Sequence, residues 1–149
     1  MSNYTKFGKG VIFCAPAQML DQPLRKESPV DGDYLPGTVV HYDAAAKRFT
    51  AGPGDVTYVL DKDHLGQMPV DVAYTAGDLA TAFYCKGPAL ILNVLADGEQ
   101  EIVEDDPLFP TAGGTLTITD PADGTAAIGN AAETITTGTG SELVAVKFI

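Results

Sequence analysis

"ALILNVLA", residues 89–96, decides how this chain folds. It is apolar throughout except at Asn93, and at eight residues it is too short for periodicity to separate a buried helix from a strand buried on both faces. Its flanks favour a strand. Gly87-Pro88 precedes it and Asp97-Gly98 follows it, and both pairs are turn signals rather than helix caps. Taken with "LATAFYC" (79–85), it forms a strand, turn, strand unit.

Working outward, the same texture recurs. "TVVHY" (38–42) and "VTYVL" (56–60) are rich in β-branched and aromatic residues and flank "DAAAKRFTAGPGD", which reads as a hairpin with a long tip. Within that tip "AAAK" is long enough for one helical turn capped by Asp43, marginal by itself. "TLTITD" (115–120) alternates, with Leu116 and Ile118 on one face and threonines on the other. The Pro-Ala-Asp-Gly after it supplies a fixed φ and then a positive one, so the chain turns there. The final stretch, "TGTGSELVAVKFI" (137–149), presents Val144, Val146 and Phe148 to one face, while Lys147 on the other must reach solvent or a carboxylate. That strand is expected to close its own sheet. Strands separated by turns at this spacing predict a mainly-β chain, a small sandwich or barrel-like domain.

Residues 1–36 stand apart. Pro16, Pro23, Pro29 and Pro36 break any continuous helix or central strand, which predicts an extended N-terminal arm with one strand at Val11–Cys14 and a β-rich domain over 37–149.

Composition narrows the function. Nine basic residues against 20 acidic ones give a net charge of −11, which opposes binding to nucleic acid or to an anionic membrane. Cys14 and Cys85 are too few for a disulfide scaffold, although one bridge between them stays open. The polar stretch Met1–Lys9 has no apolar run of signal-peptide length, so synthesis and residence in the cytoplasm, or release with it, are expected.

Candidate chemistry is sparse. Asp61, Asp63 and His64 in "DKDH", joined by His41 from another strand, would suit a divalent metal, but their spacing fits no metal motif. "EQEIVEDD" (99–106) carries five carboxylates, the signature of a solvated face more than of an acid–base pair. Each cysteine sits in an apolar strand, and "AGPG" and "TAGGT" lack the Lys-Ser/Thr that a phosphate loop needs. Neither a catalytic residue, a metal site nor a cofactor is expected.

Three stretches, "LPGTVVHYDAAAKRFTAGPGD" (35–55), "MPVDVAYTAGDLATAFYCKG" (68–87) and "GTLTITDPADGTAAIG" with "ELVAVKFI" (114–129, 142–149), carry a family resemblance over residues 34–149. In order and texture the chain resembles the capsid decoration, or cement, proteins of tailed bacteriophages, of the lambda-like β-tulip type. The resemblance implies a homotrimer on the capsid exterior at threefold or quasi-threefold positions, with the major capsid protein as partner and an N-terminal arm that orders on the shell. Candidate capsid contacts are Tyr4, Phe7, Val11, Ile12 and Phe13, because aromatic and apolar groups carry most interface energy. Rival readings are a tail-tube or head-completion subunit, a small acidic module binding sugar or a cell surface through Tyr34, Tyr42, Tyr58 and Tyr74, and, last, an enzyme built on Asp61, Asp63 and His64.

Overall fold

The computed structural model describes residues 9–15, 24–64, 66–85 and 90–148. Among them every regular element is a strand: β1 (Phe13–Ala15), β2 (Arg25–Pro29), β3 (Val39–Asp43), β4 (Arg48–Ala51), β5 (Thr57–Leu60), β6 (Leu79–Tyr84), β7 (Ile91–Ala96), β8 (Glu101–Ile102), β9 (Pro107–Pro110), β10 (Leu116–Thr117), β11 (Gly129–Ala131), β12 (Ile135–Thr136) and β13 (Glu142–Phe148). The protein is mainly β and barrel-like, as the turn spacing predicted.

"ALILNVLA" becomes β7, the hub of the larger sheet. One edge pairs with β13 over six residues, from Ala96–Glu142 to Ile91–Lys147. The other edge takes β1 along its first half and β10 at Ala96. The order β7-β10-β9-β11-β13 then returns to β7, so the sheet closes into a five-stranded barrel with β1 added outside the ring. Leu92, Val94, Val144, Val146, Phe148, Leu108 and Leu116 fill its core. The expected core face of the C-terminal strand is correct, and Lys147 on the opposite face reaches Asp105 at 2.5 Å. β13 lies between two strands and so closes the ring from within.

The opposite face of β7 is also buried, which explains the unbroken apolar run. Leu95 and Leu143 pack there against Gly37, whose φ is +91° and whose missing Cβ would lie 2.7 Å from Leu143 Cδ2. Gly37 N–H donates to the Leu60 carbonyl at 2.8 Å, and its own carbonyl accepts from Leu95 N–H at 2.9 Å. One glycine thus joins the two sheets.

The second sheet runs β2-β6-β5-β3-β4, antiparallel throughout. Its outer strands meet at a parallel bridge between Val30 and Phe49, with Asp31 N–H donating to the Phe49 carbonyl at 3.0 Å. Strand alternation serves two cores at once. Val39, Val59 and Phe83 face the larger barrel, while Val40, Leu60, Ala82 and Phe49 face inward. β6 and β7 are the two strands expected there, yet each joins a different sheet, and the turn expected between them at 86–88 lies outside the described residues.

Three sequence expectations need correction. The long tip between β3 and β5 contains β4, because Phe49, fully buried, anchors the otherwise polar run Arg48–Ala51. "AAAK" makes no helical turn: it forms a tight hairpin turn in which Asp43 Oδ1 accepts from the Ala45 and Ala46 amides at 3.0 and 3.2 Å and Lys47 takes φ +56°. Parts of the stretch 1–36 belong to the folded body. β1 and β2 pair with β7 and β6, and Ile12 and Val30 are fully buried. Pro29 ends β2 where a missing N–H costs little. Residues 1–8 and 16–23 lie outside the described residues.

Candidate functional site

The stretch that enters β1 is held by a buried polar knot. Asn93, the single polar residue of β7, is 1% exposed, and its side-chain amide donates to the Val11 carbonyl at 2.7 Å. Its side-chain oxygen accepts from Lys9 Nζ at 3.2 Å, and its backbone N–H donates to the Ile12 carbonyl at 2.7 Å. Lys9, only 6% exposed, also pairs with Glu133, whose Oε2 accepts the Ala145 amide at 2.7 Å. A polar residue in a two-sided apolar strand is costly unless satisfied, and here Lys9, Val11 and Ile12 of the N-terminal stretch bond Asn93 while Glu133, between β11 and β12, holds Lys9.

This geometry sorts the candidate contacts. Tyr4 and Phe7 lie outside the described residues. Val11 presents its side chain, 42% exposed. Ile12 is fully buried in the chain's own core, and Phe13 is half-buried and stacked on Phe83 at 5.9 Å. Ile12, just before β1, is therefore corrected from a capsid contact to a core residue, and Phe13 packs partly buried against the same core of the larger sheet.

The "DKDH" stretch lines a cleft of about 550 Å³ together with Arg25, Glu27 and Tyr74. Asp61, 3% exposed, accepts from the Lys62 amide at 2.8 Å and contacts His64 Nε2 at 3.0 Å. Burial raises the Asp61 carboxyl above its ordinary range, against the lowering effects of His64, the Lys62 amide and Arg25. Tyr74 donates to the Asp61 carbonyl at 2.6 Å, and burial pushes its phenol well up. His41 stays away, contacting the Gly52 carbonyl through Nδ1 at 3.1 Å. Among the described residues no three His, Cys, Asp or Glu side chains converge as a metal site.

An acid whose folded pKa is raised contributes its stability below the unfolded pKa and loses it as pH climbs through the folded one. Asp61→Asn is accordingly expected to flatten the part of the stability profile that falls as pH rises from about 3.8, compared by denaturant midpoints with the parent. An unchanged slope would show that Asp61 is not held above its ordinary range.

The other candidates have structural roles. In "EQEIVEDD", Asp106 Oδ2 accepts the Val103 amide at 3.0 Å and Asp105 pairs with Lys147. Both cysteines are free thiols, and burial raises them away from the reactive thiolate. The four flagged tyrosines split into two kinds. Tyr34 donates to Asp31 and accepts from the Ala51 amide, and Tyr74 is bound as above, so both serve the fold.

Tyr42 and Tyr58 lie at one end of the second barrel, where they meet two residues the sequence reading passed over, Tyr84 and Lys26. The registers Tyr58–Tyr84, Asp43–Arg48 and Arg25–Phe83 bring these strand ends together. The available signal was their shared position: each tyrosine sits within two residues of a strand end. Compared with known proteins, the chain matches no protein-family model, and no curated protein matches it.

Proposed function

We propose that this chain is a structural virion protein, a decoration or cement protein that binds the outside of a tailed-bacteriophage capsid as a homotrimer and clamps neighbouring capsomers. The observation that carries the reading is the polar knot at Lys9 and Asn93. It anchors Lys9 and Val11 to a body built of closed sheets and so gives residues 1–8 a fixed point of attachment. Eight residues, fully extended, reach roughly 28 Å at about 3.5 Å each, enough to cross onto an adjacent subunit. Tyr4 and Phe7 in that stretch supply aromatic anchors, and Val11 adds an exposed apolar contact beside it.

A cement protein gains strength by engaging several subunits at once, so modest contacts at each copy suffice. Closed sheets leave few edges for neighbouring copies to pair with on a crowded shell, and the net charge of −11 keeps them apart from one another and from DNA. The partners are the major capsid protein and further copies of this chain. The protein is made in the host cytoplasm and resides on the capsid exterior.

Removing residues 1–8 is expected to leave the denaturation midpoint unchanged while abolishing co-sedimentation with shells of the major capsid protein of the same phage. Normal decoration by the truncated protein would sink the assignment of capsid contact to that stretch. Light scattering of the full chain is expected to give three times 15.6 kDa.

A further inference from the structure

The mouth of the second barrel has the makings of a ligand site that the capsid role does not use. Lys26 Nζ lies 4.1 Å over the ring of Tyr42, and the rings of Tyr58 and Tyr84 lie 6.0 Å apart. Behind them Phe49 packs at 5.8 Å from Tyr58 and 6.2 Å from Tyr42, so the rings rest on a filled core and cannot retreat. Two adjoining depressions, about 290 and 480 Å³, share Lys26 and Tyr58. Among the described residues, the hydroxyls of Tyr42, Tyr58 and Tyr84 have no hydrogen-bond partner, in contrast to those of Tyr34 and Tyr74.

Charge is concentrated here as well. Arg25, Lys26, Lys47 and Arg48 are four of the nine basic residues of a chain with net charge −11, and all four sit at this end of the barrel. None lies within salt-bridge distance of a carboxylate among the described residues. Asp43 and Asp55 share the rim, but Asp43 is turned to the amides of Ala45 and Ala46. Arg25, which also lies over the Phe83 ring at 4.9 Å, and Lys26 line the depressions themselves, and cations gathered at a rim of an acidic protein favour an anionic ligand.

We propose that this mouth binds an anionic glycan, with sugar rings stacked on Tyr58 and Tyr84 and their carboxylates met by Lys26 and Arg25, the two cations that line the depressions. Ring faces offer flat apolar area to the C–H face of a sugar, and phenolic hydroxyls offer the donors and acceptors that its hydroxyls need. An acidic peptide strand fits less well. β3, β5 and β6, which carry the tyrosines, are each paired on both sides and leave no edge for its backbone. The site would stand whether or not the protein coats a capsid.

Titration of the full-length protein with oligogalacturonate, maltohexaose and poly-glutamate, followed by calorimetry and by tyrosine fluorescence, tests this. Oligogalacturonate is expected to bind at least about tenfold more tightly than the other two, with salt weakening it. Lys26→Gln and Arg25→Gln should each cost several-fold, as should Tyr58→Phe, which keeps the ring and the fold and loses only the hydroxyl. Equal binding of poly-glutamate would overturn the proposal in favour of a peptide read by charge. Equal binding of maltohexaose would overturn the role of the cations, and no binding of oligogalacturonate would overturn the site itself.

Discussion

Replacing Asn93 by leucine is expected to destabilise the protein by about 2–4 kcal/mol and to release the N-terminal stretch from β7. The substitution keeps volume and β7 pairing but removes the amide that donates to the Val11 carbonyl and the oxygen that accepts from Lys9. Lys9, 6% exposed, is then left with Glu133 alone. Losing one neutral hydrogen bond costs about 1 kcal/mol and losing one to a charged group about 1.5–3, while the added apolar surface returns part of this. Two readouts separate the local event from general weakening. The urea midpoint reports the total, and tryptic cleavage after Lys9, blocked in the parent by burial, reports release of the segment. A variant within about 0.5 kcal/mol of the parent and still protected at Lys9 would show that the knot does not hold this stretch.

The second large effect is expected at Gly37. Alanine there must adopt φ +91° and place a Cβ 2.7 Å from Leu143 Cδ2 and 3.4 Å from Leu95 Cγ, at the joint between the two sheets. Backbone strain of about 1 kcal/mol adds to overpacking of about 1–3, so Gly37→Ala should cost about 2–4 kcal/mol. Gly77 provides the control. Its φ is +93°, and no atom lies within 4 Å of its absent Cβ, so Gly77→Ala should cost only the backbone strain. Equal losses at the two positions would mean that the contact with Leu143 contributes nothing.

Much of this architecture is legible in the residues. The turn dipeptides around "ALILNVLA" and the alternation of "ELVAVKFI" announce strands, and the two-sided burial of β7 explains why its own periodicity was silent. The strands that escape reading lack an apolar pattern. β2, "RKESP", buries Ser28 and owes its place to pairing with β6 along its whole length. β9 is bounded by Pro107 and Pro110 and is fixed by Leu108, which is fully buried. In both, tertiary pairing overrides local propensity, a term that a linear reading does not contain. The arm suffers the same limit. Pro29 does end β2, but Ile12 and Val30 find buried seats that only the folded sheets provide.

Site residues follow the same division. Asn93 was visible as the one interruption in an apolar run, and its meaning waited on the placement of Lys9 and Val11. Tyr42 and Tyr58 stood out as aromatic, whereas their grouping with Tyr84 and Lys26 depends on the barrel register. Asp61, Asp63 and His64 are adjacent in sequence and share a cleft, but burial spends Asp61 on the Lys62 amide and His64.

The proposed capsid role is tested most directly by cryo-electron microscopy of shells assembled from the major capsid protein of the same phage and incubated with an excess of this protein. The account predicts added density on the outer surface at the threefold or quasi-threefold positions, three copies at each, with residues 1–8 resolved against the shell. Bare shells, or protein located only on tails or at a head vertex, would contradict it.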